Sequence, residues 1–265
     1  MSEPLSREKL REQFEASAQE YLRHLREERR EHFMESTSQQ RQWQIFGASF
    51  ELVSRENPHV HAYGELLVQW RRDGGRVIHK IVPDNMVVVS KEVPDPNGSY
   101  DLPLQPARPF WVLEYVSKHN QRKDYEDSFD VYEQELEVPY YLIFYPETQD
   151  LSLYRYNGRY YVTVKPNAQE RYPIPQIEIE LALLDGCVRF WFHGRLLPLP
   201  AELQEELDDA RWQIEQLNKS VEDERRRAND ESKRADDAAR RANQLRDQMA
   251  AMQAELDRLR RQQGG

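Results

Sequence analysis

The chain has 265 residues and one cysteine, Cys187. A single thiol excludes an internal disulfide framework and every multi-cysteine zinc site. It stands in "LLDGCVRFWF", which reads as a β-hairpin, so a small buried thiol is the reading preferred over a nucleophile. Long apolar runs are missing as well. None approaches the ~20 residues of a membrane span, and the opening "MSEPLSREKLREQFE" holds no apolar signal region. These absences set the expectation of a soluble, cytoplasmic protein with no membrane contact. Positive charge is the minority sign: 37 Lys and Arg stand against 47 Asp and Glu, a formal net charge of −10. That balance argues against a coat for nucleic acid, because phosphate affinity comes mainly from Lys and Arg. It leaves room for an enzyme that meets a phosphodiester in one local cleft.

Proline and glycine vanish in one region. From Ala201 onward there is neither until the last two residues. Steps of four and three from Leu203 reach Leu207, Ala210, Ile214, Leu217, Val221, Glu224, Ala228, Glu231, Ala235, Ala238, Ala242, Leu245, Met249, Met252, Leu256 and Leu259. Only two glutamates break this seam. A seven-residue repeat of this length predicts a left-handed coiled coil over 201–263, its partner a second copy of the chain joined through residues 203–259. The alternative is a single solvated helix held by charge pairs.

The preceding part is richer in turn signals. Residues 1–34 read as a charged amphipathic helix, with Leu10, Phe14, Ala18, Tyr21 and Leu25 at helical spacing. A second helix follows Ser36 or Ser38 as cap, with Trp43, Phe46, Phe50 and Leu52 on its apolar face. Strands are predicted in "HAYGELLVQW", "MVVVS", "FWVLEYVS" and "PYYLIFYP", with a helix over Asn120 to Glu137 before the last. Hairpins are predicted at Asn157-Gly158, Asp185-Gly186 and His193-Gly194. The order describes an α/β (α+β) domain over 35–200, a mixed sheet flanked by helices, followed by the long carboxy-terminal helix.

Two acids stand out on the strands. Asp84 follows Pro83 ahead of "MVVV", and Glu114 interrupts "WVLEYVS" on the face shared with Val112 and Val116. A carboxylate inside an apolar strand is costly unless it is paired or binds a cation. Two on neighbouring strands suit Mg²⁺ or Mn²⁺, which take oxygen ligands; pairing with an arginine is the plainer account of Glu114. Other groupings are weaker. His59 and His61 lack a third ligand, "DGGR" lacks the spacing of a phosphate loop, and the tyrosines, Tyr132 and Tyr141 among them, read as packing more readily than as base-stacking surfaces.

The element order matches the core of the PD-(D/E)XK nuclease superfamily: a helix, three strands with the Pro-Asp acid on the second and the Glu on the third, then a helix and a strand. More closely, "ESTSQQRQ", "GELLVQW", "VPDNMVVVS", "WVLEYVSKHNQRKDY", "VYEQELEVPYYLIFYPE", "LYRYNGRYY" and "GRLLPLPAEL" resemble, in order, the blocks of the Uma-type restriction endonuclease family over about residues 35–206. The resemblance implies a restriction-endonuclease-like fold and metal-dependent hydrolysis of DNA. It makes Asp84 and Glu114 metal ligands and catalytic residues, with Glu65 in "GELL" and Glu35 in "MEST" as candidates for an upstream third carboxylate. The chain departs from the pattern at the basic position. Val116 stands where the usual motif has lysine, and Ser128 where many relatives carry one four residues after an aspartate, here Asp124. Lys118 and Lys123 are the candidate substitutes beside the scissile phosphate. Two readings follow: a Mg²⁺-dependent DNA endonuclease dimerised by its coiled coil, two copies suiting the cutting of two strands, or an inactive nuclease-fold protein that works as a scaffold through its tail.

Overall fold

Hairpin turns stand where the glycine dipeptides place them. In the computed structural model, Asp185 and Gly186 take φ of 52° and 75°, and His193 and Gly194 take 49° and 76°. Two successive left-handed residues give the twist that joins antiparallel strands tightly. The structure describes residues 6–29, 37–72, 75–116 and 128–263, without the side chains of 26–29, 37–38 and 255–263.

Thirteen strands are present among the described residues. A six-stranded mixed sheet has the order β1 (Val60–Gly64), β4 (Asn85–Val89), β6 (Pro109–Tyr115), β7 (Tyr140–Tyr145), β8 (Asp150–Tyr156) and β9 (Tyr161–Thr163). Its pairings are antiparallel except for β6 with β7, which run parallel. A four-stranded antiparallel sheet holds β10 (Tyr172–Ile174), β11 (Ile179–Leu184), β12 (Cys187–Phe192) and β13 (Arg195–Leu196). A three-stranded sheet orders β3 (His79–Ile81), β2 (Leu67–Trp70) and β5 (Ser99–Asp101). The fold is α+β, as the element order predicts.

Both faces of the large sheet are covered, which explains why "NMVVV", "PFWVLEY" and "YYLIFY" are nearly unbroken apolar runs. On one face Val87, Trp111, Leu113, Leu142 and Phe144 meet Phe46, Phe50 and Val53 of α2 (Thr37–Glu56) and Phe190 of β12. Phe46 and Phe50 stack at 4.5 Å between centroids, and Phe50 lies 5.5 Å from Trp111. Gln42 ties α2 to β12: its amide nitrogen donates to the Val188 carbonyl at 2.8 Å, and the Val188 N–H donates to its amide oxygen at 2.7 Å. On the other face Met86, Val88, Val112, Val116, Tyr141 and Ile143 meet Tyr132, Leu136, Trp70 and Tyr100. Helix α1 (Arg7–Arg29) buries Phe14 and Ala18, and the Gln69 side chain donates to the Phe14 carbonyl at 3.1 Å.

Two expectations change. "HAYGELLVQW" is not one strand: Glu65 takes a φ of 47° and splits it into β1 and β2, which belong to different sheets. A left-handed conformation is expected of Gly or Asn, so a glutamate gives no warning of it. The helix expected through Glu137 ends sooner. Residues 128–130 are helical, Val131–Glu135 form a π turn, and Glu137 is left-handed with φ 48°.

The chain divides into two units, Met1–Glu202 and Leu203–Gly265. The second is made by helix α3 (Pro200–Gln263), whose start is written in the sequence. Pro200 takes the first helical position, where no N–H is needed, and the Glu202 carboxylate accepts the Leu199 N–H at 2.7 Å. Every described side chain from Ala201 to Ala254 is exposed.

Candidate active site

Strands β4 and β6 bring the two predicted acids together. Their register sets Asn85 opposite Leu113 and Met86 opposite Val112, so one further step places Asp84 opposite Glu114. Hydrogen bonds lock the pair. The Tyr115 N–H donates to Asp84 Oδ2 at 2.6 Å, and the Asp84 N–H reaches Glu114 Oε2 at 3.5 Å. The second oxygen of Glu114, Oε1, accepts the Tyr132 hydroxyl at 2.6 Å. Each acid is thus oriented by a group other than itself, which is how metal and catalytic carboxylates are held in working geometry.

The electrostatics of this cluster are unfavourable without a cation. Burial first, and the charge of Asp84 second, hold the Glu114 carboxyl well above the usual carboxylate range, although the Tyr132 hydrogen bond opposes them. Burial and the Glu114 charge also push the Tyr132 phenol far above its ordinary value, so it remains a protonated donor. Two carboxylates confined against each other cannot both ionise cheaply. A hard divalent cation relieves that repulsion and prefers oxygen donors, so the residues present fit Mg²⁺ or Mn²⁺. Asp84 and Glu114 would hold it. Among the described residues no group of three His, Cys, Asp or Glu is placed to bind a metal ion.

The other candidates fall as follows. Glu65 is joined to the site through its backbone, its N–H donating to the Asp84 carbonyl at 3.0 Å, while its side chain belongs to an exposed residue. Glu35, Lys118, Lys123 and Asp124 lie outside the described residues. Val116, at the place of the usual lysine, is 7% exposed and packs with Tyr132, Val138 and Ile143. A lysine there would have to carry its ammonium out of an apolar layer. Ser128 is half-buried in the short helical stretch before the π turn. His61 on β1 lies 3.3 Å from the Ser90 carbonyl, and His59 is exposed ahead of that strand. Tyr141, Tyr154 and Tyr161 surround Phe129 at centroid distances of 5.8, 5.3 and 5.3 Å, an aromatic packing cluster.

Sequence reasoning missed Tyr132 as a site residue. It sits eighteen positions beyond Glu114, on an irregular turn, among many tyrosines. The signal lay in its neighbours: "VYEQELEV" places an isolated aromatic between acids just before a parallel strand, and π turns are frequent at functional sites.

No curated protein matches the chain. A crystal structure titled as a putative nuclease belonging to DUF820, from Anabaena variabilis, aligns with 55% of this chain and 76% of its own at 16% identity, with a TM-score of 0.41. The model of the Uma2 family, "Putative restriction endonuclease", matches residues 38–184, more than half of the chain and the span from α2 through β11 that carries both acids, and the protein belongs to that family.

Proposed function

We propose that the protein is a divalent-metal-dependent endonuclease that hydrolyses DNA phosphodiesters, with Asp84 and Glu114 as ligands of the ion. The observation that carries this reading is the interlocked acid pair: two carboxylates, one just before β4 and one on the adjacent β6, part-buried and charge-repelled, each fixed by a separate donor. When bound, Mg²⁺ or Mn²⁺ supplies an activated water and stabilises negative charge on the phosphate. Asp84 presents its carboxylate beside the Tyr115 amide, and Glu114 keeps one oxygen turned to Tyr132 and the other toward Asp84. Tyr132 is a positioning residue that acts through Glu114. Glu65 and Glu35 are the proposed sources of a third carboxylate, and Lys118 or Lys123 the proposed cation beside the scissile phosphate. The α3 seam joins two copies of the chain. A cytoplasmic location accords with the DNA substrate.

A second reading is favoured by one observation, the burial of Val116 where a lysine would be expected: a nuclease fold without turnover, serving as an interaction module through α3. Plasmid nicking in Mg²⁺ or Mn²⁺ separates the two. Wild type should convert supercoiled to nicked DNA, and Asp84→Ala and Glu114→Ala should each lose at least about 100-fold in rate. Absence of metal-dependent cleavage, or cleavage indifferent to both substitutions, would sink the enzyme reading and leave the scaffold.

A further inference from the structure

The seam of α3 carries information about direction as well as partner. Resting on the self-association proposed above, we infer that two copies pair antiparallel, with Leu207 of one level with Met252 of the other. Every described seam side chain is exposed, Ile214 at 58% and Leu217 at 66%, so the apolar stripe is available for a second chain.

A parallel, in-register pair sets each seam residue against its own copy. Ala228, Ala235, Ala238 and Ala242 would then form layers of two methyl groups, and Glu224 and Glu231 would each meet a like charge at the core. Both features are unfavourable, the first through lost contacts and the second through repulsion of partly desolvated carboxylates. In the antiparallel register the same residues complement one another. Ala210 meets Met249, Leu217 meets Ala242, Val221 meets Ala238, and Ile214 meets Leu245. Glu224 meets Ala235 and Glu231 meets Ala228, so no alanine faces an alanine and no acid an acid.

Charge follows size. The residue immediately before each of the two alanines that face a glutamate is arginine: Arg234 precedes Ala235, and Arg227 precedes Ala228. In a heptad that position flanks the seam on the side where the glutamates sit, so each seam acid gains an arginine from the partner. A shift by one heptad keeps the charge pairing but sets Ala228 against Ala238, which disfavours it. The register sets the two copies of Leu203 about 80 Å apart at ~1.5 Å per residue.

The test uses the 265-residue chain, whose own Cys187 is buried. Light scattering should give about twice the 31.7 kDa chain mass. Under mild oxidation the double variant Leu207→Cys with Met252→Cys should form covalent dimers, while Leu207→Cys alone and Met252→Cys alone should not. Circular dichroism checks that each variant keeps its helix. In the native seam, Glu224→Gln with Glu231→Gln should weaken dimerisation by about fivefold or more. Cross-linking by Leu207→Cys alone, or tighter dimers after the glutamine changes, would establish the parallel coil and overturn the proposal. A dimer that cross-links in none of the variants overturns the register. A monomer at all concentrations removes the self-association itself.

Discussion

Apolar side chains meet opposite fates in the two units of this chain. In Met1–Glu202, Phe50 and Trp111 are each 1% exposed, closed between a helix and two sheets, whereas Ile214 and Leu217 on α3 remain mostly open. The first unit completes its own core from non-local contacts. The second is ordered by local hydrogen bonds and by i,i+4 charge pairs such as Lys219 with Glu215 at 2.8 Å, and its apolar seam buries nothing within its own helix. Removing an apolar group from the first unit damages a finished core; removing one from the second damages only what the seam could join.

Five variants press on that contrast. Phe50→Ala should cost about 3–5 kcal/mol in chemical denaturation, because the aromatic cluster around Trp111 and Phe190 cannot collapse into the hole. Ile214→Ala should leave that transition unchanged while weakening the dimer; an equal loss in both would dissolve the distinction between the units. Tyr132→Phe keeps the ring's packing but removes the bond to Glu114, and a 10- to 100-fold loss of activity is expected. On the proposed role of Tyr132 as a positioning residue for Glu114, the loss should appear as a raised Mn²⁺ or Mg²⁺ requirement, a readout that simple loosening of the fold would not move.

Gln42→Ala removes both bonds to the Val188 backbone and should cost about 1–3 kcal/mol, separating a polar tie from the aromatic core. The smallest effect belongs to Glu135. Hydrogen bonds from Arg72 first, and then from Trp70, hold its carboxyl below the ordinary 4.5, against the burial that raises it. A depressed acid adds stability above its unfolded value and loses that contribution as pH falls through the folded one. Thermal melts of Arg72→Ala and wild type should therefore differ slightly near neutrality, less at high salt, and converge as the solution is acidified below the glutamate range. A difference that grows toward low pH would contradict this account.

Much of the fold was legible because its signals are local. Asp185-Gly186 and His193-Gly194 mark hairpins by backbone preference, Pro200 with Glu202 writes a helix start, and alternation puts Glu114 on one face with Val112 and Val116. The acid pair was legible for a further reason, since a charge within a buried strand demands a partner. What escaped lies where tertiary contacts override local preference. Glu65 adopts a conformation its side chain does not favour because its N–H is bound to the Asp84 carbonyl. Tyr132 reaches Glu114 from an irregular turn within the connection between β6 and the parallel strand β7, so no spacing rule links the two.

The parallel pairing of β6 with β7 has a consequence in time. Asp84 and Glu114 are thirty residues apart, and Glu114 gains Tyr132 only through the long crossover that parallel strands require. Such long-range closure is slow, on the order of milliseconds to seconds in sheet-rich domains, whereas a helix relaxes in roughly a microsecond. After dilution from denaturant, α3 is therefore helical first, and the pair of Asp84 and Glu114 with its Tyr132 bond is assembled only later.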